Sequence, residues 1–567
     1  MKKLVSLARL LPPLLVSSAA LKAAGPAVPL GTMERFWRHS PSISPFTETG
    51  YSLIEIPAYM KRGDFPYPCR PYAKEVPFAD HLTMVRILGG HKEPKPGSDG
   101  KPADRAAGDL AYRGADGQIA FRRGLLEARL RHYLENGYDH LTIVLDNVPW
   151  CFPAEPVNGG LGQSAPPRDL VEWRGFIETF CRELLRIAGP ERAANFRFRL
   201  GTEMNGKERF HGTPQEFVAF FDATAAGVRA VFPQAPFSIF NAAGVSLRSM
   251  DRMNVNPFAV AEHVFEEGRF DQPKPFAWLA FSRYYSVWDD IENKARGAIE
   301  VWDEFDRRFP AAGGIPREIH EFGVAPFGEV ARGRFPSAEP GALGAAMTSQ
   351  MMWHLHEGGI DRLWHWTVYD RIRDRTNRVQ NIFTGDAWAL LVFEAMAGGK
   401  TWRLPLMDPP PPGSSVLVNA ALKPDAAYIM ASAFHREEAQ ANPRPLRFRL
   451  PAEWNLSADA KISFVRFNRN NAPHDSARKL LLEAGLLKAD FVERPGRLGN
   501  FHEMSSGDDG RKLLADHLAD FESQWVDSLT LRPLDSSVGT VEPANGGALV
   551  TVNVDLPEVL VLKIGPR

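Results

Sequence analysis

Between about residues 33 and 400 the chain repeats one alternation: a short apolar run, then a longer stretch with helical period. The runs are Met84 to Leu88, Leu141 to Leu145, Phe196 to Leu200, Phe237 to Asn241, Trp278 to Tyr284, Arg317 to His320 and Arg362 to Trp366, with an eighth, counted here as the first in chain order, expected near Phe36. Between them lie amphipathic stretches such as Asp169 to Ile187, where Leu170, Trp173, Phe176, Ile177, Phe180, Leu184 and Ile187 share one helical face. The helix after the fourth run is marked by Thr213, Pro214 and Glu216, an N-cap, an N1 proline and an N3 glutamate. Eight strands alternating with helices predict an α/β fold, a (β/α)8 TIM barrel, with a doubly wound open sheet as the alternative.

Past Gly399 the helical alternation fades, and Asp408-Pro409-Pro410-Pro411-Pro412-Gly413 marks a stiff junction. Ser415 to Val418, Ala427 to Ala433, Leu446 to Leu450, Ile462 to Phe467, Ala548 to Val554 and Val559 to Ile564 read as strands of a C-terminal β-sandwich, interrupted by helix around Ala477 to Leu487. The expected domains are 25–400 and 401–567. Residues 1–24 read as an export signal, with Lys2, Lys3 and Arg9 before the apolar Leu10 to Val16 and cleavage expected between Ala20 and Ala24. That predicts a periplasmic or extracellular protein.

Composition narrows the function. In 567 residues, 67 Lys and Arg balance 68 Asp and Glu, so bulk charge offers no attraction to nucleic acid. No stretch approaches the roughly 20 apolar residues of a membrane span. Three cysteines at wide spacing, Cys69, Cys151 and Cys181, suggest neither a disulfide framework nor a zinc site. His-Glu-x-x-His and Gly-x-Ser-x-Gly are missing, and Gly160-Leu161-Gly162 lacks the rest of a dinucleotide fingerprint, so no cofactor or metal is expected.

Sites on barrels are built beyond the C-terminal ends of the strands. Two glutamates stand there: Glu203 after the fourth strand, in Leu-Gly-Thr-Glu-Met-Asn, and Glu321 on the seventh, in Ile-His-Glu-Phe-Gly. A carboxyl pair suits glycosidic cleavage, in which one group protonates the leaving oxygen and the other attacks the anomeric carbon or activates water. Spacing along the chain does not choose between retention and inversion. Arg86, ending the second strand, is a candidate for keeping the nucleophile charged. Trp150, Trp364 and Trp366 could stack on sugar faces, and Asn147 and His211 could bond sugar hydroxyls.

Several segments resemble glycoside hydrolase family 39, of the clan A retaining enzymes, over roughly residues 33–400. Glu34-Arg35-Phe36-Trp37-Arg38 is similar to its opening Phe-Trp segment, Leu363-Trp364-His365-Trp366-Thr367-Val368-Tyr369-Asp370 to its strand-eight segment, and Ala280-Phe281-Ser282-Arg283-Tyr284-Tyr285 to its strand-six Ser, His and Tyr. The resemblance implies Glu203 as general acid/base, Glu321 as nucleophile, Tyr284 or Tyr285 as donor to the nucleophile, and Trp366 as a stacking floor. Where the clan places Asn before the acid/base this chain has Thr202, with Asn205 two residues after Glu203, and these two become the candidates for the sugar 2-hydroxyl contact. The implied partner is an oligo- or polysaccharide. The rival expectation is a carbohydrate-binding protein that keeps the scaffold without catalysis.

Overall fold

The eight runs form parallel strands in the computed structural model, which describes residues 26–40, 59, 62–65, 82–91, 107–135, 140–160, 162–286, 289–324, 340–366, 369–373, 379–435, 445–454, 460–493, 498–544 and 547–565. In chain order these strands are β1 (Trp37–Ser40), β2 (Leu82–Arg86), β3 (Leu141–Val144), β4 (Arg197–Leu200), β5 (Phe237–Ile239), β6 (Leu279–Tyr285), β7 (Arg317–Val324) and β8 (Arg362–Trp366). The expected export signal lies outside the described residues.

β2, β3, β4 and β5 form one parallel sheet in that order, and β6, β7, β8 and β1 form a second. A parallel bridge from Ala242 to Phe281 joins the end of β5 to β6, and β1 lies beside β2. A helix follows each strand from β2 onward: α1 (Arg123–Glu135), α2 (Leu170–Ala188), α3 (Pro214–Arg229), α4 (Pro257–Phe265), α5 (Ile291–Arg308), α6 (Ala342–Glu357) and α7 (Gly385–Met396).

Local chemistry accounts for these elements. The Asp169 carboxylate caps α2 by accepting from the Val171 and Glu172 N–H groups, and α3 carries a full capping box between Thr213 and Glu216. Such a cap is worth about 1 kcal/mol. The α2 stripe of Trp173, Phe176, Ile177, Phe180 and Leu184 is buried, each side chain stabilising by roughly 1.5–3 kcal/mol. Along β4, period two turns Phe198 toward the helices, against Phe232, and sends Arg197 and Arg199 to the opposite face.

The observed β7 is longer than its apolar run and carries a bulge. Ile319 pairs with Phe281 and Glu321 with Ser282, so β7 spends one residue more than β6; the same surplus appears against β8 between Ile319 and Phe322. A bulge re-aims side chains. Here it turns His320 and Glu321, adjacent in sequence, to the same side of the sheet.

The carboxyl-terminal strands are β9 (Lys400–Arg403), β10 (Ser414–Leu422), β11 (Ala427–His435), β12 (Pro445–Arg449), β13 (Lys461–Asn468), β14 (Gly539–Ala544), β15 (Gly547–Asn553) and β16 (Glu558–Gly565). An antiparallel sheet runs β9-β10-β11-β16-β13, extended at one edge by Val28–Thr32 and at the other by Arg532–Pro533. Val28–Thr32 stands far ahead of these strands in sequence, yet pairs with β9. Val418, Ile429 and Leu562 of this sheet share a core with Phe448 and Val550 of the three-stranded sheet β12-β15-β14. Its other face meets the helices, as where Trp388 of α7 stacks on Phe467. The helical insertion exceeds the expected Ala477 to Leu487: it includes Pro473–Glu483, Gly507–Asp516 and Leu518–Ser528, gathered around Leu481, Phe501, Leu514 and Phe521. Helices this short are marginal alone and depend on that shared core. Among the described residues, no helix is long and apolar enough to cross a membrane.

Candidate active site

The turn after β4 has unusual geometry. Gly201 has φ +80°, and a Cβ there would meet the Met204 side chain. Glu203 has φ 53°, the one non-glycine residue with positive φ among the described residues. That conformation costs on the order of 1–3 kcal/mol and persists where the surroundings impose it. They do so here: the Glu203 N–H donates to the Asn241 carbonyl at 3.0 Å, and the Glu203 carbonyl accepts from Gly206 N–H at 3.2 Å. Arg209 approaches the Glu203 carboxylate at 3.3 Å.

Glu321 is 3% exposed. Its Oε1 accepts from Asn241 Nδ2 at 3.1 Å and its Oε2 from the Tyr284 hydroxyl at 3.1 Å, while the same Asn241 amide donates to Ser282 Oγ at 2.6 Å. Asn241 therefore holds the Glu203 backbone with its carbonyl and the Glu321 carboxyl with its side chain. Burial and the nearby charge of Glu203 push Glu321 above the ordinary carboxyl range; Arg199 and the Asn241 and Tyr284 hydrogen bonds oppose them. Burial and the charges of both glutamates raise the Tyr284 hydroxyl well above its usual range, so it remains a donor.

Beneath this pair lies a chain of buried charges. Glu318 accepts from Arg197 at 2.8 Å, from Arg362 at 2.7 Å and from His320 Nε2 at 2.7 Å. His320 Nδ1 faces Arg199 Nη1 at 2.7 Å. Since guanidinium only donates, Nδ1 is the acceptor and Nε2 carries the proton. Burial, aided by Arg199 and Arg197, lowers His320 to about 3 against the pull of Glu318, so it is neutral. Burial works against the Glu318 carboxylate, yet Arg197, His320 and Arg362 together hold it well below the usual range. Arg197 also lies 3.9 Å over the Trp278 ring.

The structure brings Glu203, Glu321 and Tyr284 together. Asn147 and Thr202 line a neighbouring cleft with Asp146, Gln163, Glu208 and Arg209. Other expected contacts fall elsewhere. The Thr202 hydroxyl accepts from Arg199 Nη2 at 2.9 Å, and both ends of the Asn205 amide are bonded to the Ala243 backbone, so Asn205 braces a loop rather than presenting itself to a sugar. Trp150 is buried with its indole N–H on the His91 carbonyl at 3.0 Å. Trp364 is fully buried edge-on to His320. His211 is exposed, and its backbone N–H donates to Ser164. Tyr285 faces α6, where its hydroxyl meets Thr348 Oγ1 at 3.1 Å; strand alternation gives the site to Tyr284 alone. Arg283 likewise turns outward, to the Val245 and Lys294 carbonyls. The side chains of Arg86 and Trp366, at the ends of β2 and β8, lie outside the described residues.

Sequence reasoning missed Asn241, Arg199 and Arg209. A signal existed for Asn241, an amide at the C-terminal end of the fifth apolar run, the position searched for titratable groups. Among the described residues, no three His, Cys, Asp or Glu side chains gather so as to hold a metal ion.

No family model and no curated protein matches the chain. Solved structures do. A glycoside hydrolase family 39 β-xylosidase from Caulobacter crescentus is 15% identical, with 96% of this chain and 98% of that one covered at a TM-score of 0.54. The family 39 enzyme from Xanthomonas axonopodis pv. citri is 14% identical, with 96% of each chain covered and a TM-score of 0.54. A bacterial orthologue of human α-L-iduronidase is 13% identical, covering 96% of this chain and 83% of that one, also at 0.54. At these identities the likeness is one of backbone, and the chain shares the fold of these three structures, two of them glycoside hydrolases of family 39.

Proposed function

We propose that this chain is an exported retaining glycoside hydrolase, with a (β/α)8 catalytic barrel ending near residue 400 and a β-sandwich over 401–567, to which Val28–Thr32, inside the barrel bounds expected from sequence, adds an edge strand. The Ala242–Phe281 bridge and the closeness of β1 to β2 support one closed ring of eight strands. The apolar core common to the two antiparallel sheets supports the sandwich. Lys2, Lys3 and Arg9 ahead of an apolar run support export.

The observation that carries the function is the pairing of two glutamates through Asn241, one in the turn after β4 and one on β7. Glu203 protonates the glycosidic oxygen while Glu321 attacks the anomeric carbon; Glu203, now a base, then takes a proton from the water that releases the sugar. The reactive form has one proton on the pair, on Glu203. Burial favours a proton on Glu321 instead, but two donors aimed at its two oxygens favour the carboxylate there.

The substrate is an O-glycoside of an oligo- or polysaccharide. Because the structures sharing the fold include a β-xylosidase and an α-L-iduronidase orthologue, aryl β-xylosides and α-L-iduronides head the test panel. Wild type should turn over at least one of them, and Glu203→Gln and Glu321→Gln should each lose about 10²–10⁴-fold while staying folded. A Gln variant with near-wild-type rate removes that residue from the mechanism. The engagement of Thr202 and Asn205 by protein groups favours a second reading, a carbohydrate binder without turnover. Binding of a glycoside with no release of the aryl group by wild type would select it.

A further inference from the structure

Arg199 is fully buried on β4 and spans the gap to β7. Its Nη2 donates to Thr202 Oγ1 at 2.9 Å, and its Nη1 donates to His320 Nδ1 at 2.7 Å. Thr202 immediately precedes Glu203, and His320 immediately precedes Glu321. One rigid, planar cation thus ties together the two backbone positions that carry the carboxyl pair. His320 cannot drift, because its Nε2 is anchored on Glu318, which Arg197 and Arg362 hold in turn.

We propose that Arg199 is a positioning residue for both glutamates, a strut between β4 and β7 that sets their separation. This rests on the double-displacement reading above. The charged and titratable groups around Glu321 include Glu203 and Arg199 from β4 and its turn, Arg209 from the same turn, paired with Glu203, Tyr284 from β6, and His320 beside it on β7. His320 is neutral, Tyr284 stays protonated and Arg209 is paired with the Glu203 carboxylate at 3.3 Å, so Arg199 is the cation that favours the charged form of Glu321 against burial and the charge of Glu203. Arg199 does not touch Glu318, so removing it leaves Glu318 with Arg197, Arg362 and His320 and the buried network below keeps its pairing.

The test uses the full chain with Arg199→Met, Arg199→Lys and Thr202→Val. Carboxyl-13C-glutamate labelling follows the Glu321 titration, assigned by the signal lost in Glu321→Gln, and needs no substrate. Hydrolysis of 4-nitrophenyl β-D-xyloside gives kcat and KM. In Arg199→Met the Glu321 titration should rise by about one unit or more, with kcat down about 10- to 100-fold and KM nearly unchanged. Arg199→Lys should restore the titration but not kcat, because one ammonium cannot grip both Thr202 and His320. Thr202→Val should lower kcat and leave the titration in place, and covers the case in which Arg199→Met fails to fold. An unmoved Glu321 titration in Arg199→Met, or full kcat in both Arg199→Lys and Thr202→Val, overturns the proposal. Turnover by Glu321→Gln would instead sink the double-displacement reading and leave the Arg199 titration result standing.

Discussion

Tyr284→Phe isolates one hydrogen bond at the proposed nucleophile. The hydroxyl donates to Glu321 Oε2 at 3.1 Å, and Glu321 is 3% exposed, so water does not replace the lost donor. A hydrogen bond to a charged group is worth about 1.5–3 kcal/mol, and each pKa unit corresponds to about 1.36 kcal/mol. The Glu321 titration should therefore rise by roughly one to two units beyond its already elevated position. The carboxylate is the attacking form and the bond stabilises it, so losing the bond leaves less carboxylate at a given pH. The acid limb of kcat/KM, which reports the free enzyme, should move to higher pH by that amount. Tyr284 does not itself ionise across the assay range, so its own titration does not confuse the profile. The assay is aryl glycoside hydrolysis across a pH series. An acid limb that stays put or moves to lower pH would refute the claim that this bond favours the Glu321 carboxylate.

Three further outcomes follow. Asn241→Ala keeps the backbone carbonyl that holds Glu203 but loses the amide on Glu321, so kcat/KM should fall by about 10- to 100-fold, read by steady-state kinetics. Glu321→Gln should stabilise the fold: a carboxyl whose folded pKa is raised contributes stability below its unfolded pKa and loses it as pH rises, so the melting-temperature gain over wild type should grow from pH 5 to pH 8. Glu318→Gln leaves Arg197 buried without its carboxylate and should cost about 3–5 kcal/mol by denaturant unfolding, with any pH dependence opposite in sign, since a depressed carboxyl adds stability above its unfolded pKa.

Much of this architecture can be read from periodicity. Phe196 to Leu200 alternates at period two and Asp169 to Ile187 at the helical period, so the repeated strand–helix order is visible without coordinates. The ends of elements are less legible. β7 outruns its apolar run because the bulge lets His320 and Glu321 face inward together, and no local pattern announces a bulge. Val28–Thr32 falls within the bounds expected for the barrel, and only its long-range pairing with β9 puts it in the antiparallel sheet. At the site, position at a strand end singled out Glu203 and Glu321. The side chains that hold them were hidden, because Arg199 and Glu318 read as ordinary solvated charges until two strands more than a hundred residues apart are laid side by side. Trp150 shows the converse: an aromatic beside a strand end looked suited to a sugar face, yet its indole N–H serves a loop carbonyl.

The most direct measurement is trapping of the covalent intermediate. Wild type is treated with a 2-deoxy-2-fluoroglycosyl inactivator matching the aryl glycoside it hydrolyses, then digested and mapped by mass spectrometry. The account predicts a single glycosyl adduct on the peptide carrying Glu321, absent in Glu321→Gln and formed more slowly below the acid limb of the rate profile. An adduct on another residue, or hydrolysis that inverts the anomeric centre with no adduct at all, would contradict it.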